Sequence, residues 1–530
     1  MVAEVLKIDS NVTGLRMAKE ASLGVLPGSP VWIGMQPNGY NDFGGQLGLV
    51  ARNPINLRRQ RLKGTVTDLD AGGGVNMDLT QSLFSEFWPG LFLSVKRAKP
   101  HHGGRYVTPN PVTVDATGYD IGSDAATAGY LVDHLVFAEG FTNAANNGLK
   151  VVTAVTGDVV LFAGSVIEAS PPANAEIRVV GYEFATSDLD VTNPAGFPTL
   201  TSAADDWTQF GLIPGEWIWI GGVGANDFTN AENNGLARIR SITTAVLTLD
   251  KGPGGANGTT DMAAETGTGL DIRVFFGDLT RNESADSANF DDVTYTIERT
   301  LGVPNPVGSP GVTQAETLTG SQIVNFNLGV PLPAPDAKIT MDVGFLATDN
   351  QQYTGEAGDL IPTNGATIIE PAAADVFNPT NDIERLKLAI QPTVADGDAA
   401  PDPLFAFITE MSLALSNNSV ANKAVGTLGA FAVTAGTFTV DAQITAYFAE
   451  VAGQQAVRAN SDVTLEIAFA KTFQGRKAGI LFDIPLGALG DARLNVEQDA
   501  PITLPLQLAG AEFEDFGHSL AVMEFWYLPS

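Results

Sequence analysis

The chain has no cysteine, so it can build no disulfide framework, zinc ribbon or thiol nucleophile. Histidine is scarce too: His101, His102, His134 and His518 stand in no HExxH or comparable metal spacing. Positive charge is short, with 29 Lys and Arg against 60 Asp and Glu and a formal net charge of −31. Such a chain repels nucleic acid rather than gripping it. No apolar run reaches the roughly 18 residues of a membrane span. Met1 to Asn11 lacks the apolar core of a signal peptide. There is no GxSxG elbow, no Walker loop and no GxGxxG between strand and helix. A glycosidase-type carboxylate pair meets in space and not in sequence, so none can be nominated. The expectation is a chain without catalysis, cofactor, metal or membrane association, made in the cytosol.

What the chain does have is amphipathic β pattern. Charged residues make up 17% and hydrophobic residues 44%, which leaves a surface rich in Thr, Ser, Asn, Gln, Gly and Ala. Val293, Tyr295, Ile297, Arg299 and Leu301 alternate with Thr294, Thr296, Glu298 and Thr300, the period of two of a strand with unlike faces. The pattern returns at 324–330, 339–345, 437–448 and 463–469, and further strands are expected at 480–486, 502–508 and 523–527. Few helices compete with these. The fold class expected is mainly β, an antiparallel β-sandwich or barrel with one short helix and two small inserted β-barrel-like modules.

That helix is expected where Leu79, Leu83 and Phe87 fall at i, i+4 and i+8, stopped by Pro89-Gly90. Ala71-Gly72-Gly73-Gly74 suggests a bend or hinge, and residues 1–50 carry more turn chemistry than regular pattern. Arg52, Arg58, Arg59, Arg61 and Lys63 place five cations within twelve residues. Residues 1–110 hold 12 Lys/Arg and 8 Asp/Glu, so the acid excess lies wholly in the rest of the chain. The basic segment is either a solvated loop or, as we expect, a contact with an acidic neighbouring subunit. Phe141 to Leu149, with Asn146, Asn147 and Gly148, recurs 87 positions later as Phe228 to Leu236, with Asn233, Asn234 and Gly235. Asn-Asn-Gly suits a tight turn needing positive φ; a ligand pocket at the paired asparagines is the other reading. Asp396-Gly397-Asp398 lacks the spaced oxygen ligands of an EF-hand and reads as a solvated loop. The boundaries expected are a core part at 1–109, modules at 110–190 and 191–278, and a second core part at 279–530.

Residues 50–93 resemble the major tail tube proteins of long, non-contractile-tailed (siphovirus-type) bacteriophages, through Val50-Ala51-Arg52-Asn53-Pro54-Ile55, Lys63-Gly64, Asp68 to Gly73 and Asp78-Leu79-Thr80. The repeated Phe-x-Asn-x-x-Asn-Asn-Gly segments, Val293 to Arg299, and the order from Met411 to Asn418 through 437–448 to Gly479 to Pro485 are similar to the same family. The resemblance implies a virion structural protein whose inner strands join those of five neighbours in a hexameric ring. Rings would stack into a hollow tube that passes double-stranded DNA without binding it specifically, with a tape-measure protein and a tail terminator as partners. Glu298 and Glu466, on the polar faces of their strands, are the lumen candidates. The alternative function is a β-rich surface or adhesion protein that binds glycan or protein through the repeated modules.

Overall fold

The structure is a computed structural model that describes the chain except residues 1–7, 9, 56, 81–86, 105–111, 193–196, 254–261, 303–313, 354–365, 371–373, 392–401, 405–407, 449–450, 495, 497 and 530. Asp396-Gly397-Asp398 lies outside the described residues. Two compact units are present, each assembled from three segments: residues 1–95, 283–376 and 412–441 in the first, and residues 96–282, 377–411 and 442–530 in the second. Both are mainly β, built from antiparallel sheets of sandwich type, and no closed barrel occurs among the described residues. Every strand expected from alternation is present, several of them longer than the pattern suggested.

In the first unit, Thr13–Lys19 lies between Val31–Met35 and Tyr295–Leu301. Tyr295–Leu301 pairs with the first half of the long strand Gln314–Val330, whose other edge takes Asp349–Tyr353. From Gln322 onward the long strand changes partner to Thr340–Ala347. That strand pairs with Leu62–Asp78, which forms a hairpin with Pro37–Arg52. Phe326, Leu328, Met341, Val343, Val75 and Met77 are buried beneath this second sheet, each the apolar member of a period-two alternation.

The first part of the chain therefore holds long strands where turn residues predicted little order. Asn and Gly between Pro37 and Gly48 belong to a hairpin rather than to a loop. Ala71 to Gly74, expected as a bend, sits inside Leu62–Asp78. The glycines are there for close approach: a Cβ at Gly73, where φ is +140°, would meet Phe43 Cα at 2.4 Å, and one at Gly72 would meet the Phe345 carbonyl at 2.7 Å. Most of the helix expected from Leu79 to Phe87, with Leu83, lies outside the described residues, and the described helix Phe87–Phe92 runs through Pro89-Gly90 instead of stopping there. A Cβ on Gly90 would meet Tyr295 Cε2 at 2.6 Å, so the glycine lets the helix lie against the sheet.

In the second unit, Ile383–Ile390 pairs with Asp462–Phe473, and that with Arg476–Gly490. Arg476–Gly490 takes Ala521–Leu528 along its first half and Thr503–Ala511 along its second. Ala521–Leu528 continues to Asp278–Arg281, and Thr503–Ala511 to Thr439–Tyr447 and then Ile408–Ser416. The helix Ala452–Ala459 packs on Arg476–Gly490. Strands between His101–Gly103 and Arg273–Phe276 pair among themselves in an open order. Both repeats share one apolar core there, with Tyr119, Phe141, Trp207, Phe228 and Phe276 among its members.

Candidate assembly surface

Pro37–Arg52 and Leu62–Asp78 outrun their core. Phe43 and Leu69 are the last buried residues along them; past these, every described residue is exposed or half-buried. At about 3.3 Å per residue, the bare part of the arm is roughly 30 Å long. Leu47, Leu49, Val50, Leu62 and Val66 are exposed along it, and Ile55 and Leu57 at the tip are about fully so, at 106% and 104%. Arg52, Arg58, Arg59, Arg61 and Lys63 surround that tip and are all exposed. A two-stranded ribbon is marginal in water by itself, and fully exposed Ile and Leu each forgo about 2 kcal/mol of burial.

Two sheet faces are polar and poor in cations, Lys338 at the end of the first being paired with Asp78 at 2.6 Å. In the first unit, Asn76, Asp342 and Asn327 lie side by side across three strands, with Asn325 and Thr340 nearby. Asn76 Nδ2 donates to Asp342 Oδ1 at 2.9 Å. In the second, Gln443 and Thr445 share the wet side of Thr439–Tyr447 with exposed Asp441, while Gln507 and Ala509 are exposed on Thr503–Ala511. Thr445 Oγ1 donates to Glu410 Oε1 at 3.3 Å. Ile408–Ser416, Thr439–Tyr447 and Thr503–Ala511 contain neither Lys nor Arg.

Glu298 and Glu466 are on neither face, which corrects their assignment to a lumen. Glu298 is 0% exposed within the first unit. Its nearest cation is the Arg16 guanidinium at 3.9 Å, and neither carboxylate oxygen has a hydrogen-bond donor. Burial, opposed only weakly by Arg16, pushes its carboxyl up to about 7. The polar side of this strand is polar without being wet: the Glu20 carboxylate accepts from Thr296 Oγ1 at 2.7 Å and from the Gly320 N–H at 2.9 Å. Glu466, 1% exposed in the second unit, is paired with Lys251 and, at 3.1 Å, with Arg385. Burial alone would raise its carboxyl, but Lys251 and Arg385 outweigh that and hold it below the ordinary range. Beside it Arg238 contacts Asp250 at 2.7 Å and Asp483 at 3.1 Å. Sequence spacing offered no sign of this network, whose members lie up to 245 positions apart. It fastens the repeat strands Gly235–Ile242 and Val246–Lys251 to Asp462–Phe473 and Arg476–Gly490.

The paired asparagines are internally engaged. Asn147 Oδ1 accepts from the Phe141 N–H at 3.0 Å, and its Nδ2 donates to the Phe141 carbonyl at 2.8 Å. Asn234 does the same with Phe228 at 3.0 and 2.8 Å. Asn146 Nδ2 donates to Glu168 at 3.1 Å and Asn233 Nδ2 to Glu265 at 2.8 Å. Gly148 and Gly235 have positive φ, at 90° and 129°, as the turn demands. The two glutamates escaped the repeat because they are 97 positions apart rather than 87; the repeat spacing holds from the turn through the next two strands, Gly148–Thr156 with Gly235–Ile242 and Val159–Phe162 with Val246–Lys251, and is lost before the glutamates.

No described residues form a group of three or more metal-ligating side chains, and no described helix is long and apolar enough to cross a membrane. Fold and surface together define the class as a structural β protein. The profile of the phage tail tube protein family matches residues 10–514, and the chain belongs to that family. Its place is the virion tail, where it is a structural component of the tail tube. No curated protein matches the chain.

Proposed function

We propose that the chain closes into six-fold rings, that the rings stack head to tail as the tube of a long non-contractile tail, and that double-stranded DNA passes through the bore during ejection. The observation that carries this reading is the arm at Pro37–Arg52 and Leu62–Asp78, whose apolar tip at Ile55 and Leu57 is fully exposed and whose five cations stand at the surface around it. A neighbouring subunit with carboxylates at its surface supplies both the apolar cover and the opposite charge. Stacking by such a heterologous contact extends until another protein caps it, which assigns the length limit to a tape-measure protein and a terminator.

The bore wall is assigned to the two cation-poor faces, with Asn76, Asn327 and Asp342 on one and Gln443, Thr445 and Gln507 on the other. DNA presents one negative charge for about every 1.7 Å of axis. A Lys/Arg wall would hold it, whereas an Asn, Gln and Thr wall with a few carboxylates lets it slide. The test is sedimentation of the variant Arg58→Gln/Arg59→Gln/Arg61→Gln beside the unaltered chain. The expected outcome is a folded monomer with pelletable assemblies reduced at least tenfold; undiminished assembly would remove the arm from the interface.

A further inference from the structure

The chain holds two copies of one order of strands and one set of pairings. In the first, Pro37–Arg52 and Leu62–Asp78 pair, the helix Phe87–Phe92 follows, and then come Tyr295–Leu301, Gln314–Val330, Thr340–Ala347 and Asp349–Tyr353. In the second, Ile408–Ser416 and Thr439–Tyr447 pair, the helix Ala452–Ala459 follows, and then come Asp462–Phe473, Arg476–Gly490, Thr503–Ala511 and Ala521–Leu528. Position by position, the pairings are the same. The strand after the helix pairs with the long strand in both copies. The long strand takes the last strand along its first half and the strand before that along its second. The latter strand pairs back to the strand preceding the helix. Thr13–Lys19 flanks Tyr295–Leu301 just as Ile383–Ile390 flanks Asp462–Phe473, and each helix packs on its long strand. Short sequence matches agree with this: Val293-Thr294-x-x-Ile297 with Val463-Thr464-x-x-Ile467, and Ile339-Thr340 with Ile502-Thr503.

Chance does not reproduce an ordered set of this length, because each added strand has several edges open to it. We infer that the chain is a tandem duplication of one tube unit, interrupted in its first copy between Phe87–Phe92 and Tyr295–Leu301, and that three chains rather than six close a ring of six tube units. The step from duplication to ring count rests on the ring reading above. A heterologous ring repeats one contact all the way round, so two tandem copies fill two successive positions and every second junction joins different chains.

The arms fit this arrangement. The connection between the first two paired strands is an exposed excursion in both copies. In the second copy it holds the small hairpin Val420–Lys423 and Ala430–Thr434, with Val425 fully exposed at 108% and Leu428 and Phe431 also exposed. Lys423 of that excursion reaches Asp68 at 2.6 Å, and also Asp70, at the base of the first arm. The equivalent base in the second copy presents exposed Glu410 and Asp441, carboxylates suited to the arginines of the first arm from the next chain.

The deciding experiment is native mass spectrometry of rings released from assembled tubes, with cryo-electron microscopy of the same tubes. Three chains of 55.5 kDa per ring, with three-fold symmetry and two unlike tube units alternating, is the expected result. Six chains per ring overturn the inference while leaving the ring reading intact, and any other number overturns both. If the chain makes neither rings nor tubes under any condition, the ring reading falls and this inference falls with it.

Discussion

Glu298 holds a carboxyl in a place that gives it no hydrogen-bond donor, and its protonation is therefore tied to the fold. Its value of about 7 exceeds the ordinary 4.5, so between those two pH values the folded state keeps a proton that the unfolded chain has released. Stability consequently falls as pH rises through that window and levels off above it. The shift corresponds to a cost of up to about 3 kcal/mol at alkaline pH. Glu298→Gln keeps the shape and removes the ionisation. Thermal melts should show the variant and the unaltered chain alike at pH 4.5 and the variant more stable at pH 8; equal differences at both pH values would contradict the assignment. Alternation in the sequence located this strand correctly and misread its polar side as wet. Whether a polar face meets water or a buried carboxylate such as Glu20 depends on what packs over it, which a period of two does not record. The Glu466 network was invisible for the same reason, since its cations come from strands remote in sequence.

At the scale of elements, the strands were legible and their ends were not. Thr439–Tyr447 follows the alternation closely because one side of it faces a core, whereas Asp462–Phe473 alternates in sequence and is buried on both sides from Val463 to Ala470. The arm was half legible: its arginines stood out, but its strands did not, since Gly and Asn in Pro37–Arg52 resemble turn residues and its apolar residues face no core in the isolated chain. Its tip supplies a separate test of the apolar share of the contact. Ile55→Ser/Leu57→Ser should leave the melting temperature unchanged, because both side chains are fully exposed, while raising the concentration needed for assembly by about three orders of magnitude, from roughly 2 kcal/mol of lost burial per residue. A lower melting temperature with unchanged assembly would place the tip against its own chain instead.

For the whole molecule, the scarcity of Lys and Arg was the most informative feature of the composition, and Ile408–Ser416, Thr439–Tyr447 and Thr503–Ala511 carry no cation at all. The turn repeat at Asn146 and Asn233 was conspicuous in the sequence because a positive-φ turn fixes residue types at fixed spacing. The larger duplication was not, because a strand pairing constrains only hydrophobic period and length, and residues diverge freely within those limits. Self-assembly into a conduit is the central claim, and negative-stain electron microscopy of the purified chain over a range of concentrations and ionic strengths tests it most directly. Hollow tubes of uniform width, built from stacked rings, are the predicted result. A chain that stays monomeric at every concentration and salt would contradict it.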